Sequence, residues 1–157
     1  MLVICDTSPL CYLLLINLIE ILPQLYGKII IPEIVRDELL AEKSPQLVQN
    51  WIKIPPEWLE VRQNLIKPDQ ILSQLNVGER EAIALAEELN ADLIVLDDKP
   101  ARLLAQARGL KIIGLLGILG VGAERGLLDF SEAIASLKLT TFRASPSLLE
   151  YLLQKYG

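Results

Sequence analysis

Four short, almost wholly apolar runs constrain this chain more than any other feature: Leu2-Val-Ile-Cys5, Lys28-Ile-Ile-Ile31, Leu93-Ile-Val-Leu96 and Leu110-Lys-Ile-Ile113. None alternates polar with apolar residues, as a strand with one wet face would. A continuously apolar strand is buried on both faces, which is the condition of a parallel sheet covered by helices. The stretches between the runs read as those helices. Ser8-Pro9 supplies an N-cap followed by proline at the first helical position, and an apolar helix is expected to about Leu22, where Pro23 stops it. Pro32 opens a helix through Glu33 to about Ala41, and Glu79–Leu89 is strongly amphipathic. Lys99–Arg108, closed by Gly109, then Gly114–Arg125, Asp129–Lys138 and Leu148–Lys155 complete the helical set. Residues 43–70 carry Pro45, Pro55, Pro56 and Pro68, and yield only a short helix near Gln46–Ile52 and an extended piece near Leu59–Arg62. This rhythm predicts an α/β fold. The 157 residues suit a single domain, with a core over about 1–125 and a C-terminal helical extension over about 126–157.

The chain contains no histidine. That removes Ser-His-Asp and Cys-His catalysis, imidazole acid/base work and histidine-bearing zinc sites. Cys5 and Cys11 are too few for a disulfide framework and read as reduced thiols in apolar surroundings. The apolar run Leu10–Ile16 is broken by Asn17 and Glu20, too short to span a membrane, and the start lacks a basic leader, so a soluble cytoplasmic protein is expected. Any catalysis must come from carboxylates, Lys, Arg, hydroxyls or a metal held by oxygen.

Acids stand where strands end. Asp6 follows the first run and Asp97-Asp98 the third; in parallel sheets, ligands bind in the crevice at those carboxyl ends. The competing role is a helix N-cap: Ser8 is the better cap beside Asp6, while one of Asp97 and Asp98 caps and the other is free. At about 100° per residue, Glu79 shares a face with Ala82, Ile83 and Ala86, inside the apolar stripe, where an unpaired acid is costly. Glu81 suits a simple interaction with the helix dipole better than Glu79 does. Glu38, beside Asp37 in the helix after the second strand, is the weakest of the set taken alone. Converging carboxylates raise each other's pKa, and Mg²⁺ or Mn²⁺ is the natural compensating ion for an all-oxygen site.

Five stretches, in this order, resemble the PIN-domain nucleases: Asp6-Thr-Ser-Pro-Leu10, Pro32-Glu-Ile-Val-Arg-Asp-Glu-Leu39, Gly78-Glu-Arg-Glu-Ala-Ile-Ala-Leu-Ala86, Leu96-Asp-Asp-Lys-Pro-Ala-Arg102 and Gly114-Leu-Leu-Gly-Ile-Leu119. The nearest likeness is to a branch of short prokaryotic PIN-like proteins of unknown function. The resemblance covers about the first four-fifths of the chain. It implies a three-layer α/β/α fold, with a central parallel sheet of four to five strands and an acidic pocket at the strand ends. It further implies that Asp6, Glu38, Glu79 and Asp97 are the catalytic acids and that Asp6, Glu79, Asp97 and Asp98 are metal ligands for Mg²⁺ or Mn²⁺. Thr7, Ser8 and Glu81 would stand behind them. Two positions depart from the branch: Asp6 stands where relatives often carry Asn, which favours competence, and Leu115 where threonine is common.

A net charge of −5 is unusual for a nucleic-acid enzyme, though part of it belongs to the acidic site itself. Arg36, Arg80, Lys99 and Arg102 are the candidate phosphate contacts, with solvated helix faces as the alternative for Arg80 and Arg102. The leading expectation is a metal-dependent ribonuclease acting on RNA, in its narrower form the toxin of a toxin–antitoxin pair with a protein antitoxin as partner. The rival is a catalytically silent PIN-like assembly module. Leu148, Leu149, Tyr151 and Leu152 form an apolar helix face suited to a homodimer. An aspartyl-phosphate enzyme is disfavoured because Asp6-Thr-Ser lacks the second Asp of the phosphatase motif.

Overall fold

A computed structural model describes all 157 residues. Five strands, β1 (Val3–Cys5), β2 (Ile29–Pro32), β3 (Leu59–Arg62), β4 (Leu93–Val95) and β5 (Ile112–Ile113), form one sheet in the order β3-β2-β1-β4-β5. Every pairing is parallel, with Ile4 opposite both Ile30 and Ile94. Val3, Ile4 and Cys5 are wholly buried, as a central strand covered on both faces must be. Alternation divides the core between those faces. Val3, Cys5, Ile29, Ile31 and Val95 join the larger apolar cluster, whereas Ile4, Ile30, Ile94 and Leu96 join the smaller.

The larger cluster is closed by α1 (Thr7–Leu15), α2 (Ile21–Tyr26), α3 (Glu33–Leu40), α4 (Gln46–Lys53), α7 (Leu115–Glu124) and α8 (Phe130–Lys138). The smaller is closed by α5 (Val77–Glu88) and α6 (Lys99–Ala107). This is the expected three-layer α/β/α arrangement. The strand order runs outward from β1 to β3, then returns past β1 to β4. The crevice at the carboxyl ends of β1 and β4 is therefore the topological switch point, the position at which open parallel sheets bind ligands.

The first helix departs from expectation at both ends. It begins at Thr7, so Asp6 holds the N-cap position, without a side-chain cap bond, and Ser8 lies within the first turn. It stops at Leu15, where Asn17 takes a left-handed conformation with φ 60°. Pro23 does not stop a helix. It sits in the first turn of α2, where its missing N–H has no intrahelical partner to lose. The helix expected from Glu79 starts at Val77, capped by Asn76. Residues 59–62 do form a strand and 46–53 a helix. The connection after β3 is docked by Arg108, which pairs with Asp69 at 2.5 Å and Glu87 at 2.8 Å. Glu88 accepts hydrogen bonds from the backbone N–H groups of Leu65 and Ile66, both at 2.9 Å.

The C-terminal helices are built into the same core. Phe130, Ala133, Ile134 and Leu137 are buried in the larger cluster, and the Phe130 and Tyr156 rings lie 5.2 Å apart. Tyr156, near the end of α9 (Pro146–Tyr156), packs so closely on Gly120 that a Cβ there would lie 2.7 Å from its ring. The apolar face expected on this last helix is divided: Leu149 and Leu152 pack against the chain's own core, while Leu148 and Tyr151 are exposed. No helix is long and apolar enough to cross a membrane.

Candidate active site

Because β1 and β4 are neighbours, the chain leaves the sheet at Asp6 and Asp97 side by side; the Asp6 N–H donates to the Val95 carbonyl at 3.0 Å. Asp6 is 5% exposed, and its Oδ1 is buried without a hydrogen-bond partner. Burial pushes its carboxyl up to about 7, with repulsion from Glu79, Glu38 and Asp97 in the same direction and the Thr7 N–H opposing. The Asp97 carboxylate is split. Its Oδ1 accepts from the Leu115 N–H at 2.8 Å, while Oδ2 is buried and unpartnered. Burial raises the Asp97 pKa, against the Leu115 hydrogen bond and the attraction of Arg102. Gly114 makes this arrangement fit: a Cβ there would stand 2.8 Å from Asp97 Oδ1 and 2.9 Å from Arg102 Nη1.

Glu79 arrives from the first turn of α5. The Asn76 side chain accepts from its N–H at 2.9 Å, which fixes both the helix start and the acid that follows. Glu79 is buried, and its pKa is raised by that burial and by the nearby Asp98. Glu38, in the last turn of α3, accepts a hydrogen bond from the Thr7 hydroxyl. Its carboxylate lies directly against Gly78, where any side chain would collide with it. Asp98 is the member of its pair that caps its own helix, accepting from the Ala101 N–H at 3.4 Å, while Asp97 keeps one carboxylate oxygen, Oδ2, without a partner.

Asp6, Thr7, Ser8, Glu38 and Glu79 line an open cleft of about 680 Å³. Asp97 lies beside Asp6 on the adjoining strand end rather than on the cleft wall. Other expected residues fall elsewhere. Glu81 faces a separate groove with Glu33 and Asp37, so it does not support the acids. Arg36 is occupied by Glu33 at 3.6 Å and Asp37 at 3.2 Å on that same side. Arg102 stands beside Asp97, whereas Arg80 and Lys99 have no ion-pair partner and lie outside the cleft. Tyr12, Lys43, Ser44, Asn76 and Thr141 line the cleft without having been expected there. Only Asn76 carried a sequence signal, as an N-cap residue three positions before Glu79.

No three acids or thiols stand at the mutual spacing of a closed metal cage. The donors are nonetheless all oxygen, and two of them are buried carboxylate oxygens without partners. That fits a hard divalent ion held by one or two carboxylates, which keeps most of its own water.

Carboxylates are gathered at the switch point of a five-stranded parallel sheet. The chain belongs to the PIN-domain family, whose model matches residues 2–157; PIN domains are generally nucleases. Among solved structures, a PilT N-terminus domain protein from the hyperthermophilic archaeon Sulfolobus solfataricus is similar in fold. It has a TM-score of 0.53 at 20% identity, over 92% of this chain and 100% of that one. No curated protein matches the sequence.

Proposed function

We propose that the protein is a Mg²⁺- or Mn²⁺-dependent endoribonuclease that hydrolyses RNA phosphodiester bonds. The observation that carries this reading is the pair of buried, unpartnered oxygens, Asp6 Oδ1 and Asp97 Oδ2, on adjoining strand ends. Two such groups are poorly compatible with neutral pH unless a cation joins them. Asp6 and Asp97 would hold the ion, with Glu79 contacting it or its water. When bound, a divalent ion lowers the pKa of water and offsets the charge that develops on a phosphate. Glu38, fixed by the Thr7 hydroxyl, offers a held acceptor on the cleft wall that can orient an attacking water. The Leu115 N–H holds Asp97 Oδ1, and the nearby Arg102 charge attracts the same carboxylate.

The test is cleavage of single-stranded RNA by purified protein with Mn²⁺. Asp97→Asn should lower the rate at least a hundredfold, an order set by what oriented charge contributes to catalysis. Equal cleavage by both proteins would sink the assignment. The absence of a preformed three-acid cage favours a second reading, a silent binding module. Titration calorimetry separates the two, since a silent cleft takes up no Mn²⁺ near neutral pH. In its narrower form the proposal makes the protein the cytoplasmic toxin of a toxin–antitoxin pair and a homodimer, with the exposed Leu148 and Tyr151 of α9 as a contact face. Growth arrest on expression, relieved by a co-expressed neighbouring reading frame, is the corresponding test.

A further inference from the structure

Lys43 is the one cationic residue on the wall of the acidic cleft, and it takes part in no ion pair. It follows α3, just past the segment that carries Glu38, so an exposed ammonium shares one cleft with the buried carboxylates of Asp6 and Glu79. An ammonium that only balanced those acids would be expected to pair with one of them. Tyr12 of α1 lines the same cleft, held from two directions. Its hydroxyl is 2.9 Å from Thr141 Oγ1, and its ring packs edge-on against Phe142, with centroids 5.3 Å apart and planes at 78°. Thr141 itself lines the cleft. The segment between α8 and α9 therefore supplies a wall that fixes an aromatic ring beside the acids.

We infer that Lys43 and Tyr12 form a nucleotide subsite flanking the cleavage position: Lys43 takes a backbone phosphate and the Tyr12 ring contacts the adjoining base or ribose. The inference rests on the ribonuclease reading and adds to it the side of the cleft along which the strand leaves. A free cation, a fixed aromatic ring and the hydroxyls of Ser8, Ser44 and Thr141 around one open cleft match the chemistry of a nucleotide. Both contact the strand, and neither is paired with an acid, so they are substrate-binding residues.

Binding of a labelled single-stranded oligoribonucleotide to the full chain, with Ca²⁺ in place of Mn²⁺, is read by fluorescence anisotropy across a salt series. Lys43→Ala should weaken binding about tenfold, the order of one lost charge-assisted hydrogen bond, and Lys43→Arg should restore it. The slope of log K against log salt should shrink by about 0.7, the share of one phosphate on a single strand. Tyr12→Leu should weaken binding about tenfold with its salt slope unchanged, while Tyr12→Phe, which keeps the ring, stays near wild type. An unchanged affinity and slope for Lys43→Ala overturns the inference. If that variant binds normally and wild type still cleaves with Mn²⁺, the subsite falls and the ribonuclease reading stands. If binding depends on Lys43 but wild type does not cleave, the subsite stands and the ribonuclease reading falls.

Discussion

Replacing Asp6 with asparagine should stabilise the metal-free protein and abolish its stabilisation by metal. The Asp6 carboxyl is raised from 3.8 to about 7. A carboxyl raised in the folded state is neutral in both states below the unfolded value, so no penalty exists there. As pH climbs from about 4 to about 7 the unfolded chain loses its proton first and stability drains away; above about 7 the full penalty persists. Roughly three pK units at about 1.36 kcal/mol each set a ceiling of about 4 kcal/mol near pH 8, against about half a kcal/mol near pH 4. Asparagine has the same shape and cannot ionise. Urea unfolding in EDTA should therefore show Asp6→Asn more stable than wild type by about 2–4 kcal/mol near pH 8 and nearly equal near pH 4. Mn²⁺ should then stabilise wild type by about 2.7 kcal/mol at a hundred times its Kd, and leave the variant where it was. A variant destabilised equally at both pH values would refute the reasoning, because Asp6 would then be satisfied by contacts rather than strained by burial.

Gly114→Ala should cut activity more than stability, because the new Cβ presses on both Asp97 Oδ1 and Arg102; kcat against Tm on the same preparation separates the two. Asn76→Ala removes the α5 cap and should cost about 1 kcal/mol in chemical denaturation, together with a drop in Mn²⁺ affinity as Glu79 loosens. Arg108→Ala releases Asp69 and Glu87. It should speed hydrogen exchange at Leu65 and Ile66 while lowering global stability by no more than about 1 kcal/mol, as expected of partly exposed ion pairs.

Four of the five strands were legible as continuous apolar runs, and Asp6 and Asp97 as the residues at which two of them stop, because both signals are local. The strand β3, Leu59–Arg62, alternates polar with apolar residues and read only as an extended piece. Glu79 was legible from its place on an apolar helix face, and the structure buries it. The break after Leu15 was not legible as a helix end, because Leu18, Ile19, Ile21 and Leu22 keep the segment apolar on both sides of Asn17 and only that residue's left-handed conformation marks the stop. Pro23 misled for the converse reason: a proline reads as a stop unless the start of a new helix is already known. Glu81 and Arg36 were misplaced because charge at helical spacing does not reveal which neighbour a face meets; here both look toward the groove of Glu33 and Asp37. Lys43 and Thr141 reach one cleft from segments about a hundred positions apart, a proximity that no local pattern encodes.

The pairing of β1 with β4 sets a schedule for the protein's own synthesis. Val3 waits for Leu93, and Asp6 for Asp97, whose carboxylate is in turn held by the backbone of residue 115. Pairings so distant in the chain form late, after the entropy of closing a long loop has been overcome. A growing chain that ends in its first hundred residues has its acids on separate, unjoined segments. Asp6 can stand beside an Asp97 held by the Leu115 N–H only once translation has passed residue 115, well beyond the chain's midpoint.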